Sequence, residues 1–113
     1  MVAAPASWHP RRGEGYTADL DKARPTIILS VDALNKFAFD VCVVPLTTVE
    51  HKRFSVRVHT KKADGNLNSD CSAKCDQVAT IEKSLLRYPA LGKISGQTLR
   101  QIEEQVRICL GLS

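Results

Sequence analysis

The stretch SDCSAKCDQVATIEK, residues 69–83, sets Cys71 and Cys75 four positions apart beside Asp70, Lys74, Asp76 and Gln77, a density of reactive side chains that packing alone does not ask for. Three chemistries suit it: a disulfide, a metal site, or a catalytic strand. On an extended strand at about 3.3 Å per residue, four residues hold the two Cα atoms roughly 13 Å apart, well past the roughly 7 Å that a disulfide tolerates. A zinc site needs four ligands, and although Cys42, Cys109, His51 and His59 are available, no second closely spaced pair accompanies the first. No metal ligand set is therefore assigned. All four cysteines lie in or beside apolar runs, as reduced cysteines serving as small hydrophobes do.

A second pattern with chemical meaning is HKRFSVRVHTKK, residues 51–62. In an extended chain Phe54, Val56, Val58 and Thr60 fall on one side, while Arg53, Ser55, Arg57, His59 and Lys61 fall on the other. The segment carries five formal positive charges and no acid, against a net +4 for the whole chain. One reading is a solvated edge strand whose charges deter edge-to-edge aggregation. The other is a track for a phosphate backbone, on which Lys and Arg gain affinity by releasing counterions from a nucleic acid. The segment alone leaves both open.

The elements that must hold these residues are short. With 113 residues, 43% hydrophobic and 25% charged, the chain has the size and composition of one soluble domain, which excludes disorder, collagen and coiled coil. No apolar run approaches the roughly 20 residues of a membrane span, and MVAAPASWHP lacks the charged start and long apolar core of a secretory signal, so a cytoplasmic protein without membrane contact is expected. Residues 1–10 are small, proline-containing and aperiodic, and read as a flexible tail before a domain at 11–113.

From there YTADL, TIILSV, VCVVPLT and FSVRVHT read as strands bounded by turn residues. Asp32 is a candidate cap for a helical turn through ALNKF, and ADGNLNSD is a turn cluster in which Gly65, Asn66 and Asn68 can take positive φ. Ser95 is a candidate N-cap, and Leu99, Ile102, Val106 and Cys109 then recur at helical spacing until Gly111 supplies a stop. Four or five strands and a terminal helix make an α+β domain, a small, strongly curved antiparallel sheet or partial barrel with short helices, closed by the C-terminal helix. Leu110 and Leu112 are then surplus apolar surface, which predicts an interface.

Six landmarks, in order and at workable spacings, resemble those of MazF/PemK-type toxins: RRGEGYTADLD at 11–21, RPTIILS at 24–30, VVPLTT at 43–48, DQVATIEKSLL at 76–86, GKIS at 92–95 and RICLGL at 107–112. The resemblance implies the plasmid-maintenance toxin fold, a homodimer, and the toxin of a type II toxin–antitoxin system. It implies an endoribonuclease that cuts single-stranded RNA at short motifs, without metal or other cofactor, and that a cognate antitoxin blocks. It also implies residues. The family's catalytic arginine, which precedes a proline at the head of the second strand, corresponds to Arg24, and its threonine after the VVP strand to Thr47. The acid that the PemK branch carries in an R-C-D-Q run corresponds to Asp76 in K-C-D-Q, with Lys74 beside it in the arginine position.

These residue types suit RNA cleavage. A base removes the 2′-hydroxyl proton, the oxygen attacks the adjacent phosphorus, and an acid protonates the departing 5′-oxygen. Asp76 is the candidate base. Arg24 does not readily give up a proton but offers a fixed fork of donors to charge building on the phosphoryl oxygens. Thr47 can donate to a phosphate oxygen, and Lys74 can add a point charge or act as the acid. Arg53, Arg57, His59 and Lys61 are the candidate RNA-binding residues.

The chain departs from the family pattern in three places. The Gly-rich loop between DLD and RP is cut to Lys22 and Ala23, Ala79 stands where Q-x-R-T has arginine, and Lys74 lacks an arginine's bidentate geometry. Two rivals follow. A gyrase-poisoning member of the same fold would carry a tryptophan motif in its tail, which CLGLS lacks. A catalytically weakened homologue would act by binding RNA or an antitoxin.

Overall fold

The computed structural model describes residues 3–49 and 56–112. Strand β1 (Glu14–Asp19) turns tightly into β2 (Ala23–Ile28), a short helix α1 (Asp32–Phe37) leads to β3 (Asp40–Thr47), and β4 (Arg57–Thr60), β5 (Cys71–Lys74), β6 (Ala79–Glu82) and β7 (Gly92–Lys93) precede the long helix α2 (Gly96–Leu110). The strands form one antiparallel sheet in the order β4-β5-β3-β2-β1-β7, with β6 pairing the first half of β3 where β5 pairs the second. Curling β3 between two partners on one edge gives the curved α+β half-barrel that the sequence predicts. Among the described residues the sheet holds seven strands rather than four or five. The extra ones, β6 and β7, span four and two residues, too short to carry a firm strand signal of their own.

Alternation sorts the sheet into two faces. Ile27 pairs with Val44, and both join Leu46, Val58, Ala73, Cys71, Cys75 and Ile102 in one buried cluster. Ile28 pairs with Val43, one step out of phase, and both join Tyr16, Ala18, Val41, Ile81 and Leu86 in a second cluster on the opposite face. Helix α2 covers the first face. Its Leu99, Val106 and Cys109 pack around fully buried Ile102, as the helical spacing predicts. Ser95 caps it by accepting from the Thr98 N–H, and Gly111 closes it in the left-handed region at φ 68°. Asp64, from the 61–70 turn, accepts from the Ser95 N–H at 2.7 Å and so anchors the helix start to that turn. The turn itself approaches β7 so closely that a Cβ on Gly92 would sit 2.4 Å from the Gly65 carbonyl oxygen, which is the packing reason for glycine in GKIS.

Three expectations need correction. Asp32 is the first residue of α1 rather than its cap: the cap is Val31, and the Asp32 carboxylate instead accepts from the Arg12 N–H at 2.8 Å, tying the start of the domain to the helix. Among residues 66 and 68 of the turn cluster, Asn66 takes positive φ and Asn68 does not. The end of the supposed tail is docked. Trp8 stands edge-on to Tyr16, with ring centroids 5.8 Å apart, donates to the Tyr16 hydroxyl at 3.3 Å, and packs on the second cluster, while Pro10 is buried. An indole with an apolar surface beside it and an acceptor at its N–H has reason to stay. Among the described residues no helix is long and apolar enough to cross a membrane.

Candidate nucleic-acid interface

The face opposite α2 is apolar at one end, where the second cluster lies, and polar at the other. Register decides which residues meet there. Thr47 pairs with Ser72, and Ser72 with His59. The register that pairs Thr26 with Pro45, continued by two residues, brings Arg24 level with Thr47. One row across four strands therefore reads Arg24, Thr47, Ser72, His59. The neighbouring row carries Lys74 paired with Arg57. Val58 and Thr60 are buried on the α2 side and His59 is exposed, so β4 shows the alternation expected of it over its described length. Arg53 lies outside the described residues. Lys61 is exposed in the turn just past β4 and adds charge at the edge of the row rather than within it.

The side chains differ in how they are held. Arg24 is 29% exposed and faces Asp21 at 3.6 Å, its one ion pair among the described residues. The Asp21 carboxyl is held below the usual carboxylate range, first by the Lys22 N–H and then by Arg24. The tight β1–β2 turn has thus placed an acid on the arginine. Thr47 accepts from the Val49 N–H at 3.1 Å, which leaves its hydroxyl proton free to donate. Lys74 donates to Gln77 Oε1 at 3.4 Å.

Arg57 is the strained member of the group. It stands directly across from Lys74, an unfavourable juxtaposition of like charges, and its buried Nη1 has no hydrogen-bond partner among the described residues. A buried guanidinium nitrogen without an acceptor is costly, and an anion beside the two cations would ease their repulsion.

Asp76 does not share the rows. It follows β5 in a turn closed by the Gln77 N–H on the Lys74 carbonyl, and is exposed, with no ion pair to Lys74. Cys71 and Cys75 face α2, and burial pushes the Cys75 thiol up to about 11, so it stays protonated at neutral pH and packs as an apolar group. Cysteines 42, 71, 75 and 109 are free. Sequence reasoning missed Ser72, which the register sets between Thr47 and His59. The signal was available: with Cys71, Ala73 and Cys75 assigned to the core, Ser72 and Lys74 must share the other face.

The face can thus gather a row of hydroxyl and cationic donors, an arrangement suited to a chain of phosphates. Comparison with known proteins identifies the family. The sequence profile of the family described as "PemK-like, MazF-like toxin of type II toxin-antitoxin system" matches residues 11–110. Endoribonuclease MazF9 of Mycobacterium tuberculosis (strain ATCC 25618 / H37Rv) is 30% identical over 115 residues, spanning 90% of this chain and 97% of its own. Among solved structures, an endoribonuclease from a mycobacterial species superposes with a TM-score of 0.80 at 29% identity, over 96% of this chain and 97% of that one. An endoribonuclease in complex with its cognate antitoxin, also mycobacterial, gives 0.78 at 29% identity, over 93% and 96%. With the profile spanning nearly the whole chain and the curled sheet shared, the protein belongs to the PemK-like, MazF-like toxin family of type II toxin–antitoxin systems.

Proposed function

We propose that the chain is the toxin of such a system and acts as an endoribonuclease on single-stranded RNA, with its scissile phosphate held over the row Arg24, Thr47, Ser72, His59. The observation that carries this reading is the meeting of that row with the like-charged pair Arg57 and Lys74 on neighbouring strands. A polyanion would satisfy all of these donors at once. In the reaction Asp76, from the turn that follows Lys74, takes the 2′-hydroxyl proton, the O2′–P bond forms as the P–O5′ bond breaks, and Lys74 gives a proton to the 5′-oxygen, leaving a cyclic phosphate and a 5′-hydroxyl. Arg24 and Thr47 donate to the phosphoryl oxygens as charge accumulates there.

Incubation of the purified protein with a long single-stranded RNA in EDTA tests the reading: discrete cleavage products support it, and intact RNA in the presence of folded protein sinks it. Asp76→Asn should slow cleavage by about a hundredfold, toward the lower end of general-base effects. RNA affinity should hold or improve, because a negative charge near phosphate is removed. If binding collapses instead, Asp76 has a structural role. Replacing Arg57 by alanine should weaken RNA binding at all sequences alike and flatten the log–log salt dependence by about 0.7, the value of one phosphate contact on a single strand. An unchanged slope would return Arg57 to a solvated edge.

The acid on Arg24 favours a second reading, a weakened enzyme that acts by binding, in which Asp21 competes with phosphate. Binding without products in the EDTA assay would select it.

The partners proposed are RNA, a cognate antitoxin that occupies the same cationic face, and a second copy of the chain. Ile108, Leu110 and Leu112 are each more than half exposed at the end of α2, apolar surface that a two-fold interface would cover. Light scattering at low micromolar concentration should give twice the chain mass of 12.4 kDa. A clean monomer would remove the dimer.

A further inference from the structure

Outside these rows the chain builds a second cleft. Trp8 meets Tyr88 as well as Tyr16, with ring centroids 5.9 Å apart and planes at 80°, so two aromatic surfaces form a corner. The corner opens on a cleft of about 350 Å³, floored by Tyr16 and edged by His9, Arg11 and Glu14. That volume lies at the small end of the range of about 300–1,000 Å³ typical of ligand sites.

Its polar groups are unevenly used. Glu14 Oε1 accepts from both the Arg11 N–H, at 2.6 Å, and the Tyr16 hydroxyl, at 2.9 Å, whereas Oε2 has no partner among the described residues. The Tyr16 hydroxyl, its acidity suppressed by burial, is a fixed donor that locks the carboxylate in place. The cleft therefore offers flat stacking surfaces, one oriented carboxylate oxygen, and the cations of Arg11 and, when protonated, His9.

We propose that this cleft binds a nucleotide of the RNA strand away from the cleaved step, its base stacked on Trp8 or Tyr88, a base N–H given to Glu14 Oε2, and its phosphate drawn by Arg11. The proposal rests on the endoribonuclease reading for the source of the nucleotide, not for the chemistry of the cleft. Two placements favour RNA as that source. Tyr16 lies on the sheet face that carries Arg24, since Tyr16 pairs with Thr26 and Ala18 with Arg24 on adjacent strands. Stacking on aromatic side chains beside a basic track is also the general means of holding single strands. Trp8 and His9 bring the residues before the first strand against Tyr88, so the N-terminal segment helps to shape the cleft.

Trp8 is the chain's one tryptophan, so its fluorescence reports the cleft directly. Nucleoside monophosphates, and separately a mixed-sequence single-stranded RNA made uncleavable by 2′-O-methylation, are titrated into the full chain. Saturable quenching by both is expected, with the RNA saturating at much lower concentration. Glu14→Gln keeps an oxygen for Arg11 and Tyr16 but presents an amide donor in place of Oε2. It should weaken nucleotide quenching by about tenfold, the usual scale for losing a charged hydrogen bond, with an unchanged circular dichroism spectrum. Absence of saturable quenching, or equal affinity in Glu14→Gln, overturns the cleft. Quenching by free nucleotide but not by RNA overturns RNA as the source. Cleavage of the same RNA without methylation, measured in parallel, separates the two claims: cleaved RNA without quenching defeats the cleft alone, whereas quenching without cleavage defeats the endonuclease and leaves the nucleotide site standing.

Discussion

Replacing Arg24 by alanine is expected to lower the rate of RNA cleavage by about two to three orders of magnitude, the usual cost of removing a principal donor to developing transition-state charge. The fold should not change. Arg24 belongs to neither buried cluster, its side chain is 29% exposed, and its ion pair is with Asp21, which is 78% exposed. The loss should therefore appear in the chemical step rather than in stability. Single-turnover rates with saturating RNA, beside a thermal melt, provide the check. A folded variant that cleaves at the original rate would take Arg24 out of the reaction and move the search to Arg57 and Lys74, the other guanidinium and ammonium of that face. Arg24→Lys should recover part of the charge and little of the forked geometry, and so fall between the two.

Ile102→Ala is expected to act on stability alone, costing about 2–5 kcal/mol, as truncation of a buried aliphatic side chain does when its surroundings cannot collapse. Ile102 is fully buried at the centre of the contact between α2 and the sheet, with Leu99, Val106 and Cys109 around it. Against a typical total of about 5–15 kcal/mol, that loss would displace a chemical denaturation midpoint by a large fraction of its value. Because Ile102 faces away from Arg24 and Thr47, activity per folded molecule at low temperature should persist. A cost under about 1 kcal/mol would mean that α2 is held by its anchored start, through Asp64 and Ser95, more than by its apolar stripe.

The local chemistry of the chain was legible in its letters. The spacing of Leu99, Ile102, Val106 and Cys109 predicted the face of α2, and Ser95 and Gly111 marked its ends, because capping and periodicity depend on residues within one or two turns. Alternation in RVHT likewise separated Val58 from Arg57 and His59, since a strand's two faces follow from its period of two. The ordered landmarks were enough to identify the family.

The sequence could not show which strand lies beside which, or at what offset. Thr47 meets Ser72 and Lys74 meets Arg57 only because β3, β5 and β4 pair in one register, a relation between distant segments that a slip of one residue would invert. Asp76 lies in a turn off the rows because the chain must turn there to pass from β5 to β6, and the need for that turn comes from both strands sharing the edge of β3. Trp8 looked like part of a tail because nothing near it in sequence is periodic. Its place is set by an apolar surface and a hydroxyl on Tyr16, eight residues on, and by Tyr88 far along the chain, partners that exist only once the sheet has folded.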